Sequence, residues 1–419
     1  MFARFYRVLW RNLYFPYCLP AFRSESFSKI IHRWAVYHCL SGYPVYLSFP
    51  LRLLMAFLWP FKLLQLIYQA TAQFGTTVAA QEQIPVHKQI LQQWCIGLRY
   101  HLHPIEFYRY CLFKTERQWL IPYYLLQHEV LPLSVKLNAH QQNTTRQSAI
   151  INDKGIFAAF CSQHGLPTPQ VLAIFGEEPG LPHVPEIPEQ GPEVSLFMKP
   201  RIGARGEGAS VWIYLGNGLY SQAGQKKGVS WSELKSQLHA STQQNGKLVQ
   251  ALLSNHALLT DLSLHALSVA RIVTGLSPDH EVLPIVATFK MASNIRQHHC
   301  TNGLNSAIDL ETGTLGPAYR YHPMLPPVDN HPVTQAQITG QQLPDWASAL
   351  ALACHAHQLL DQYTFIGWDI AFTNEGPILL EGNIGWDALM VQLPQQKPLG
   401  LTLFADICRQ WLLKPKDNH

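Results

Sequence analysis

The spacing of apolar residues divides the chain near residue 150. Through residues 1–149, apolar side chains recur at the spacing of helix faces, and no run of alternating strands is present. Residues 101–129 combine many aromatic side chains with charges of both signs, and we expect them to pack against the region that follows. The pattern predicts a mostly helical N-terminal region.

Beyond residue 150 the pattern changes to helices mixed with strands. The first helix begins at an N-cap candidate, Asn152 or Asp153, and stops at Gly165. Strands are predicted at residues 171–176, 195–202, 209–215, 248–253, 266–276, 284–293 and 304–310, and helices at 232–244 and 346–361. Two proline-rich excursions interrupt these elements, at residues 176–193 and 321–344. Strands that alternate with helices, but with hairpins among them, suggest an α+β or a mixed α/β domain, and α+β is the predicted fold class.

Residues 365–383 read as a hairpin whose strands carry carboxylates. Two apolar runs are separated by the turn residues 374–376; Asp369 lies in the middle of the first run, and Glu381 with Asn383 closes the second. Asp369 and Glu381 can face each other across the turn, and strand periodicity places Asn383 on the face of Glu381. Oxygen donors of this kind are what Mg²⁺ takes. The sequence therefore predicts a metal site here.

A simpler interpretation of the hairpin is also open, in which Asp369 forms a salt bridge and Asn383 caps an element. Asp387, just beyond, faces an acceptor substrate or caps the turn, and the sequence does not separate these two roles.

Lys199 stands inside an apolar strand, where its ammonium group needs an anion. The turn that follows it is rich in glycine and arginine: Arg201, Gly203, Arg205, Gly206 and Gly208. Free backbone N–H groups beside guanidinium groups suit a hairpin that closes over a polyphosphate, although the order of residues is not that of a P-loop. A plain glycine-rich hairpin is the alternative interpretation.

Three further polar residues interrupt apolar strands. Gln250 can read the edge of a nucleobase or be satisfied by backbone groups. Arg271 and Lys290 each imply an anionic partner, because a buried cation without one is costly. Cations together with paired carboxylates indicate phosphoryl transfer from a metal nucleotide, and Arg271 and Lys290 are the predicted catalytic residues.

Composition changes this picture little. With 419 residues, 47% of them apolar and 14% charged, the chain has room for two or three domains. Its eight cysteines are scattered without a C-x-x-C pair, which favours reduced thiols in the cytosol over a zinc site or a disulfide scaffold. The formal net charge of +4 is small for this length and gives no reason to expect nucleic acid as a partner.

The charge is nevertheless uneven along the chain. Residues 1–62 contain eight basic residues and one acid, Glu25, among many aromatic residues. Residues 47–69 are long and apolar enough to suggest a membrane span, but prolines and cations interrupt them. Three interpretations are open: a transmembrane helix, an interfacial segment on anionic lipid, and a buried helical domain with snorkelling charges. Peripheral membrane contact through residues 1–70 is accordingly an expectation.

The order of these residues resembles the ATP-grasp superfamily over roughly residues 138–395. The resemblance rests on Lys154 on a helix, on K-P-x-x-G-x-x-G from Lys199, on Arg271 in a strand, and on the ending D…E-x-N from Asp369. Stretches such as ARIVT, NSAIDLETG and GPILLEGN are most similar to the sugar-transfer-associated branch, which is related to α-L-glutamate ligases.

The resemblance implies two α+β subdomains that hold ATP between them, here residues 138–247 and 248–419, after a helical region at 1–137. Lys154 and Lys199 are implied to contact the phosphates, Gln250 to lie at the adenine-binding hinge, and Arg271 to stabilise the transferred phosphoryl group. The implied nucleotide ligands are Lys154, Lys199, Arg201, Gly203, Arg205, Gly206, Gly208 and Gln250. The implied ligands of one or two Mg²⁺ ions, with Mn²⁺ as an alternative, are Asp369, Glu381 and Asn383.

The implied function is an ATP-dependent carboxylate–amine ligase that works through an acyl phosphate, on small-molecule and saccharide-linked substrates of cell-surface polysaccharide synthesis. A phosphotransferase with the same pocket and a non-catalytic nucleotide-binding module are the alternatives. The expected location is cytoplasmic, with peripheral contact at the inner membrane face. Two departures from the family pattern stand out, because the hinge residue is Gln250 where glutamate is common, and the helical N-terminal region replaces the usual α/β domain.

Overall fold

The computed structural model describes residues 32, 45–138, 150–175, 187–203, 208–225, 227–241, 246–264, 266–294, 303–323 and 325–413. Two of the predicted nucleotide ligands, Arg205 and Gly206, lie outside the described residues.

The described part of the N-terminal region, residues 45–138, is helical, as the spacing of its apolar residues predicts. Its elements are α1 (Val45–Glu82), α2 (Val86–Tyr100), α3 (Pro104–Arg109), a 3₁₀ helix (Thr115–Tyr123) and α4 (Gln127–Asn138). α1 is 38 residues long and includes Pro50 and Pro60. In the part of the chain that the structure describes, no helix combines the length and the apolar character that crossing a bilayer requires.

The rest of the chain mixes helices with strands, which confirms the predicted α+β class. The helices are α5 (Lys154–Gln163), α6 (Trp231–Ser241), α7 (Thr260–Ser263), α8 (Trp346–Gln358), α9 (Ala388–Gln395) and α10 (Leu403–Leu413). The strands are β1 (Val171–Phe175), β2 (Leu196–Pro200), β3 (Ser210–Gly216), β4 (Leu219–Gln222), β5 (Gly228–Ser230), β6 (Lys247–Ala251), β7 (Val269–Leu276), β8 (Val282–Met291), β9 (Leu304–Ile308), β10 (Leu315–Tyr319), β11 (Phe365–Thr373) and β12 (Gly376–Asn383).

The first sheet has the order β1-β6-β2-β3-β4-β5, with every neighbouring pair antiparallel. Residues of α6, among them Trp231, Leu234 and Leu238, pack with strand residues on one face of this sheet. The strands β4, β5 and β10 were absent from the predicted set. They are short and rich in polar residues, glycine or proline, so their sequences lack the alternation of apolar and polar residues that predicts a strand. Pairing with a neighbouring strand is what makes them extended.

The second sheet has the order β10-β9-β8-β7-β11-β12 and is also antiparallel throughout. Helices α5 and α8 pack on one face of it, where Phe157 lies over Trp368 at 6.4 Å between ring centres. Helices α4, α9 and α10 cover part of the other face. This second face carries Arg271 and Asp369, because successive strand residues point to opposite sides and Val273 belongs to the cluster under α9 and α10.

The sheets do not coincide with the predicted subdomain boundaries. The prediction begins the C-terminal subdomain at residue 248, yet β6 (Lys247–Ala251) lies in the first sheet between β1 and β2. Helix α5, which precedes the first sheet in the chain, belongs to the core of the second. Chain order alone therefore does not show where one packed layer ends and the next begins.

The aromatic segment 101–129 packs against the C-terminal part of the chain, as predicted. Leu389 and Leu393 of α9 join its aromatic cluster. The side chain of Gln392, buried on the same helix, accepts a hydrogen bond from the backbone N–H of Leu125 at 3.0 Å and donates one to the carbonyl of Leu125 at 2.8 Å. The helical region is thus joined to the helix that follows the predicted metal ligands.

Candidate active site

Lys154 is placed at the first turn of α5. The helix is capped by Asp153, whose carboxylate accepts from the N–H groups of Gly155 at 2.8 Å and Ile156 at 3.2 Å. Lys154 donates through its Nζ to the carbonyl of Gly203 at 2.7 Å, and through its backbone N–H to the carbonyl of Arg201 at 3.1 Å. The start of the glycine-rich turn therefore lies against the N-terminus of this helix, where the helix dipole favours anions.

Arg201, predicted from the sequence to bind phosphate, is buried and points to Asp153. Its Nη2 lies 2.5 Å from Asp153 Oδ2, and its Nε lies 3.4 Å from Asp153 Oδ1. The guanidinium group thus ties the strand β2 to the cap of α5. Gly203 and Gly208 are the described glycines of the turn. Gly208 has a φ of 74°, and an added Cβ there would lie 3.0 Å from Pro200, so this position requires glycine.

Lys199 and Gln250 lie on one face of the first sheet. Met198 and Val249 pack under α6, so their neighbours Lys199 and Gln250 point to the opposite face. Gln250 is buried, and its Nε2 donates a long hydrogen bond of 3.4 Å to the carbonyl of Pro169. A backbone partner for this amide is one of the two interpretations open from the sequence, and its contact with a nucleobase stays a prediction.

The pKa of Lys199 is shifted by burial and by charges that include two carboxylates of the second sheet. Burial lowers its pKa to about 8; Glu381 and Asp369 oppose this shift, whereas Lys154 adds to it. Charges act strongly on a half-buried lysine only from nearby. Lys199 therefore lies within electrostatic range of the carboxylates of β11 and β12.

The register of β11 brings the predicted metal ligands and the predicted catalytic arginine into one row. Asp369 is directly paired with Glu381 on β12 and with Arg271 on β7. Arg271 is paired in turn with Thr288 on β8. The expectation that Asp369 and Glu381 face each other across the hairpin is confirmed, and the row extends to strands far away in the sequence.

Arg271 and Lys290 both form ion pairs with Asp369. Arg271 binds it in a bidentate manner, with Nε at 2.5 Å from Oδ1 and Nη2 at 2.8 Å from Oδ2. Lys290 Nζ donates to the same Oδ1 at 3.2 Å. The prediction that each buried cation has an anionic partner is confirmed, and so is the salt-bridge interpretation of Asp369.

These contacts shift the pKa values of all three groups. Burial alone would raise the pKa of the Asp369 carboxyl, but Arg271 and Lys290 outweigh it and hold this pKa well below its usual range. Burial and the neighbouring Arg271 lower the pKa of Lys290. The pKa of Arg271 is raised, because Asp369 overcomes the effect of burial.

The hairpin offers a donor set that suits Mg²⁺. Within the described ranges, no cluster of three or more His, Cys, Asp or Glu side chains is placed to hold a metal ion. The predicted set has two carboxylates on directly paired residues, Asp369 and Glu381, and the amide of Asn383, which donates to Glu381 at 3.4 Å. Two carboxylates with an amide oxygen fit an ion that keeps several waters or phosphate oxygens of its own.

One further carboxylate near this row, that of Asp387, had two possible roles in the sequence. Asp387 caps α9, accepting from Leu389 at 3.0 Å and Met390 at 3.2 Å, and it also accepts from the hydroxyl of Tyr321 at 3.1 Å. The turn-capping role, left open by the sequence, is therefore the observed one. Asp387 also contributes to the raised pKa of Arg271, which places it beside the cation row.

The N-terminal helices reach the same neighbourhood through α3. Arg109 and Glu106 form an ion pair at 2.9 Å, yet Glu106 Oε2 and Arg109 Nε are buried and find no hydrogen-bond partner among the described residues. Burial raises the pKa of Glu106, Arg109 opposes this, and Asp387 adds to it. The mixed charges within the aromatic segment 101–129 were the only signal in the sequence for these residues.

A family model described as sugar-transfer associated ATP-grasp matches residues 136–405. The chain belongs to this family. The matched residues include α5, both sheets and every predicted site residue of this ATP-grasp protein. No match was found among curated proteins.

Solved structures with a similar course of the chain are ATP-grasp proteins of low sequence identity. D-alanine–D-alanine ligase of Helicobacter pylori is 11% identical to this chain, with a TM-score of 0.33. The match covers 62% of this chain and 62% of the ligase, which is under two thirds of the length of the ligase. The ATP complex of D-alanine–D-alanine ligase from Bacillus anthracis is 13% identical with a TM-score of 0.32, over 64% and 66%. A RimK domain ATP-grasp protein of Sphaerobacter thermophilus is 14% identical with a TM-score of 0.30, over 62% and 69%.

The candidate site thus combines groups from both sheets. The second sheet contributes Arg271, Lys290, Asp369 and Glu381, and the first contributes Lys199. With Lys154, four cations stand with two carboxylates, so the group as a whole favours a polyanion.

Proposed function

We propose that this protein is an ATP-dependent carboxylate–amine ligase. The observation that carries the proposal is the row of Arg271, Asp369 and Glu381 on paired strands, together with Lys199, which responds electrostatically to both carboxylates from the other sheet. Membership in an ATP-grasp family supports ATP as the nucleotide. This arrangement of cations and carboxylates serves phosphoryl transfer, in which catalysis consists mainly of positioning and charge stabilisation.

Eight of the predicted residues have a part in this scheme. Lys154 and Lys199 bind the phosphates of ATP, and the amide of Gln250 contacts the adenine edge. Asp369, Glu381 and Asn383 would hold Mg²⁺, which supplies charge neutralisation for the polyphosphate when it is bound. Arg271 and Lys290 already lie at one carboxylate, and their positive charge stabilises the phosphoryl group during transfer.

The proposed reaction has two steps. A carboxylate oxygen of the first substrate attacks the γ-phosphorus of ATP. The bond between the γ-phosphorus and the oxygen that bridges it to the β-phosphate breaks, so ADP departs and an acyl phosphate is formed. The amine of the second substrate then attacks the acyl carbon, phosphate leaves, and the amine loses a proton as the amide forms. Exclusion of water protects the acyl phosphate, and the glycine-rich turn beside Lys154 is suited to that role.

The substrates we propose are a small carboxylic acid and an amine, one of them linked to a saccharide. The description of the family as sugar-transfer associated supports this class. The reaction would belong to the synthesis or modification of cell-surface polysaccharide and would take place in the cytoplasm at the inner face of the membrane, where ATP is available. A phosphotransferase acting on a sugar remains the second candidate, because the same cation row would stabilise phosphoryl transfer to a hydroxyl group.

The test is incubation of the purified protein with Mg-ATP and pools of amino acids and uronic acids, with and without hydroxylamine. ADP together with a hydroxamate is the expected result, since hydroxylamine traps an acyl phosphate. A phosphorylated product without hydroxamate would establish the phosphotransferase instead. Absence of ADP with every pool would contradict both activities.

A pair of variants on one hairpin tests the proposed metal ligands. Glu381→Ala is expected to reduce Mg²⁺-dependent ADP release by at least about 100-fold, because it removes one of two carboxylates. Glu375→Ala changes an exposed glutamate in the turn of the same hairpin and is expected to have no effect. Equal turnover of the two variants would exclude Glu381 as a ligand.

A further inference from the structure

The outer surface of α1 differs between its two halves. From Tyr46 to Tyr68, large apolar side chains are exposed, including Phe57 at 69%, Phe61 at 62% and Tyr68 at 76%. Beyond Tyr68, the exposed positions are small or polar, among them Gln69, Gln73, Thr76 and Gln81. We call the first group the α1 stripe, which consists of Tyr46, Leu53, Leu54, Phe57, Phe61, Leu64 and Tyr68.

The α1 stripe lies on one side of the helix, away from the protein core. Its members recur mainly at intervals of three and four residues, which places them along one face. The opposite face packs through Trp59 and Leu63 against α2, and Trp59 Nε1 donates to the carbonyl of Gly97 at 2.9 Å. At 1.5 Å per residue, the stripe is roughly 33 Å long. Such a long contiguous apolar face is unusual on a surface that meets only water.

We propose that the protein docks on anionic phospholipid bilayers through the α1 stripe, with α1 lying along the membrane surface. The apolar side chains enter the boundary between headgroups and acyl chains, and the aromatic members suit that boundary because they combine large apolar area with, in tyrosine, a polar end. Docking of this kind needs no helix that crosses the bilayer, in agreement with the finding for the described helices.

The charge of the N-terminal segment, six of whose basic residues precede α1 in the sequence, favours anionic lipid as the occupant of this face. Residues 1–62 hold eight basic residues and one acid. A negatively charged leaflet attracts a segment of that composition. A second copy of the chain, packed stripe to stripe, would instead bring two such segments of like charge together, which opposes association. The proposal is independent of the ligase reaction and goes beyond it, since it concerns where the protein acts.

Vesicle flotation of the full-length protein tests this proposal. We expect the protein to float with vesicles of phosphatidylcholine and phosphatidylglycerol and to remain unbound with phosphatidylcholine alone. Raised salt should weaken the binding, because it screens the attraction between basic residues and lipid. The double variant Phe57→Ser/Phe61→Ser should lose at least about tenfold in the fraction bound, through the apolar area that it removes.

The matched control is Gln69→Ser/Gln73→Ser, two exposed positions in the second half of the same helix. It carries the same helix-weakening residue and should bind as the unaltered protein does, and circular dichroism checks that both variants keep their helices. Equal binding of the two double variants would overturn the proposal. Failure of the unaltered protein to bind anionic vesicles would overturn it as well. A dimer in light scattering that Phe57→Ser/Phe61→Ser dissociates would also overturn it and would assign the stripe to a second copy of the chain.

Discussion

Two buried ion pairs in this protein have the same chemistry and different surroundings. Arg201 and Asp153 join β2 to the cap of α5, whereas Arg271 and Asp369 lie side by side on paired strands of the second sheet. Burial does not distinguish them, since Asp153 is 4% exposed and Asp369 is 8% exposed. The difference lies in what else holds each carboxylate.

Asp153 is fixed by its own helix. It accepts two backbone N–H groups of α5 in addition to the guanidinium of Arg201. Asp369 accepts only from the side chains of Arg271 and Lys290 among the described residues, and its neighbour across the hairpin is a second carboxylate, Glu381. A carboxylate held by backbone groups stabilises one structure, while one held only by side-chain cations beside another carboxylate is suited to exchange partners when a ligand arrives.

The largest effect is expected from Arg271→Lys. Lysine keeps the charge but loses the bidentate geometry, and we expect ATP turnover to fall by about 10³-fold. The measurement is ADP release at saturating Mg-ATP, with thermal unfolding as the check on folding. Arg201→Lys is the matched control and should lower turnover by much less; an equal loss in both variants would remove the distinction between the two pairs.

Asp153→Ala should act mainly on stability. It removes the cap of α5 and leaves the buried Arg201 guanidinium without this carboxylate, so we expect the free energy of unfolding to fall by about 3 kcal/mol. Urea unfolding measures the change. Asp153→Asn retains a capping oxygen and should cost less, whereas a loss well below 1 kcal/mol for Asp153→Ala would show that this pair is not structural.

Gly367→Ala should displace the side chain of Arg271. An added Cβ would lie 2.6 Å from Trp386 Cβ and 3.2 Å from Arg271 Cδ. Overpacking of this kind costs about 1–3 kcal/mol, and displacement of Arg271 should lower turnover as well. Gly385→Ala, whose nearest contact would be 3.8 Å from Leu131, is the control and should be tolerated in unfolding and turnover assays. Equal behaviour would mean that the row tolerates movement.

The smallest effect concerns the protonation of Lys199. Burial lowers its pKa to about 8, so its positive charge is largely present at pH 7 and is lost as the pH rises through 8. If binding requires the charged form, ATP affinity should fall by up to about tenfold between pH 7 and pH 9. Titration of the nucleotide at several pH values measures this. Lys199→Arg stays charged and should flatten the profile, and a flat profile in the unaltered protein would contradict the role of Lys199.

Most of the fold could be predicted because local patterns carry it. The helix at α5 has its cap and its glycine stop, and the hairpin from β11 to β12 shows two apolar runs around a turn. The strands β4, β5 and β10 were not predicted, because they are short and are stabilised by pairing with neighbouring strands. The place of β6 in the first sheet was missed for a related reason, since pairing partners are not encoded within the strand itself.

The candidate site divides in the same way. That buried cations such as Arg271 and Lys290 require an anion follows from desolvation, and this could be stated from the sequence. Which anion each cation takes could not be stated, because the partners of Arg201 and Arg271 lie 48 and 98 residues away in the chain.

The sequence by itself determined which kinds of region and motif this protein contains. These are a helical N-terminal region, an α+β part, and the motifs of the ATP-grasp superfamily with two carboxylates facing each other across one turn. Those features depend on residue type and short spacing. Only the tertiary structure decided that Asp369 serves two cations, that Arg201 belongs to a helix cap, and that an apolar stripe of α1 faces outward. These outcomes depend on strand register and on which helix face finds a packing partner, and both are set by contacts between residues far apart in the chain.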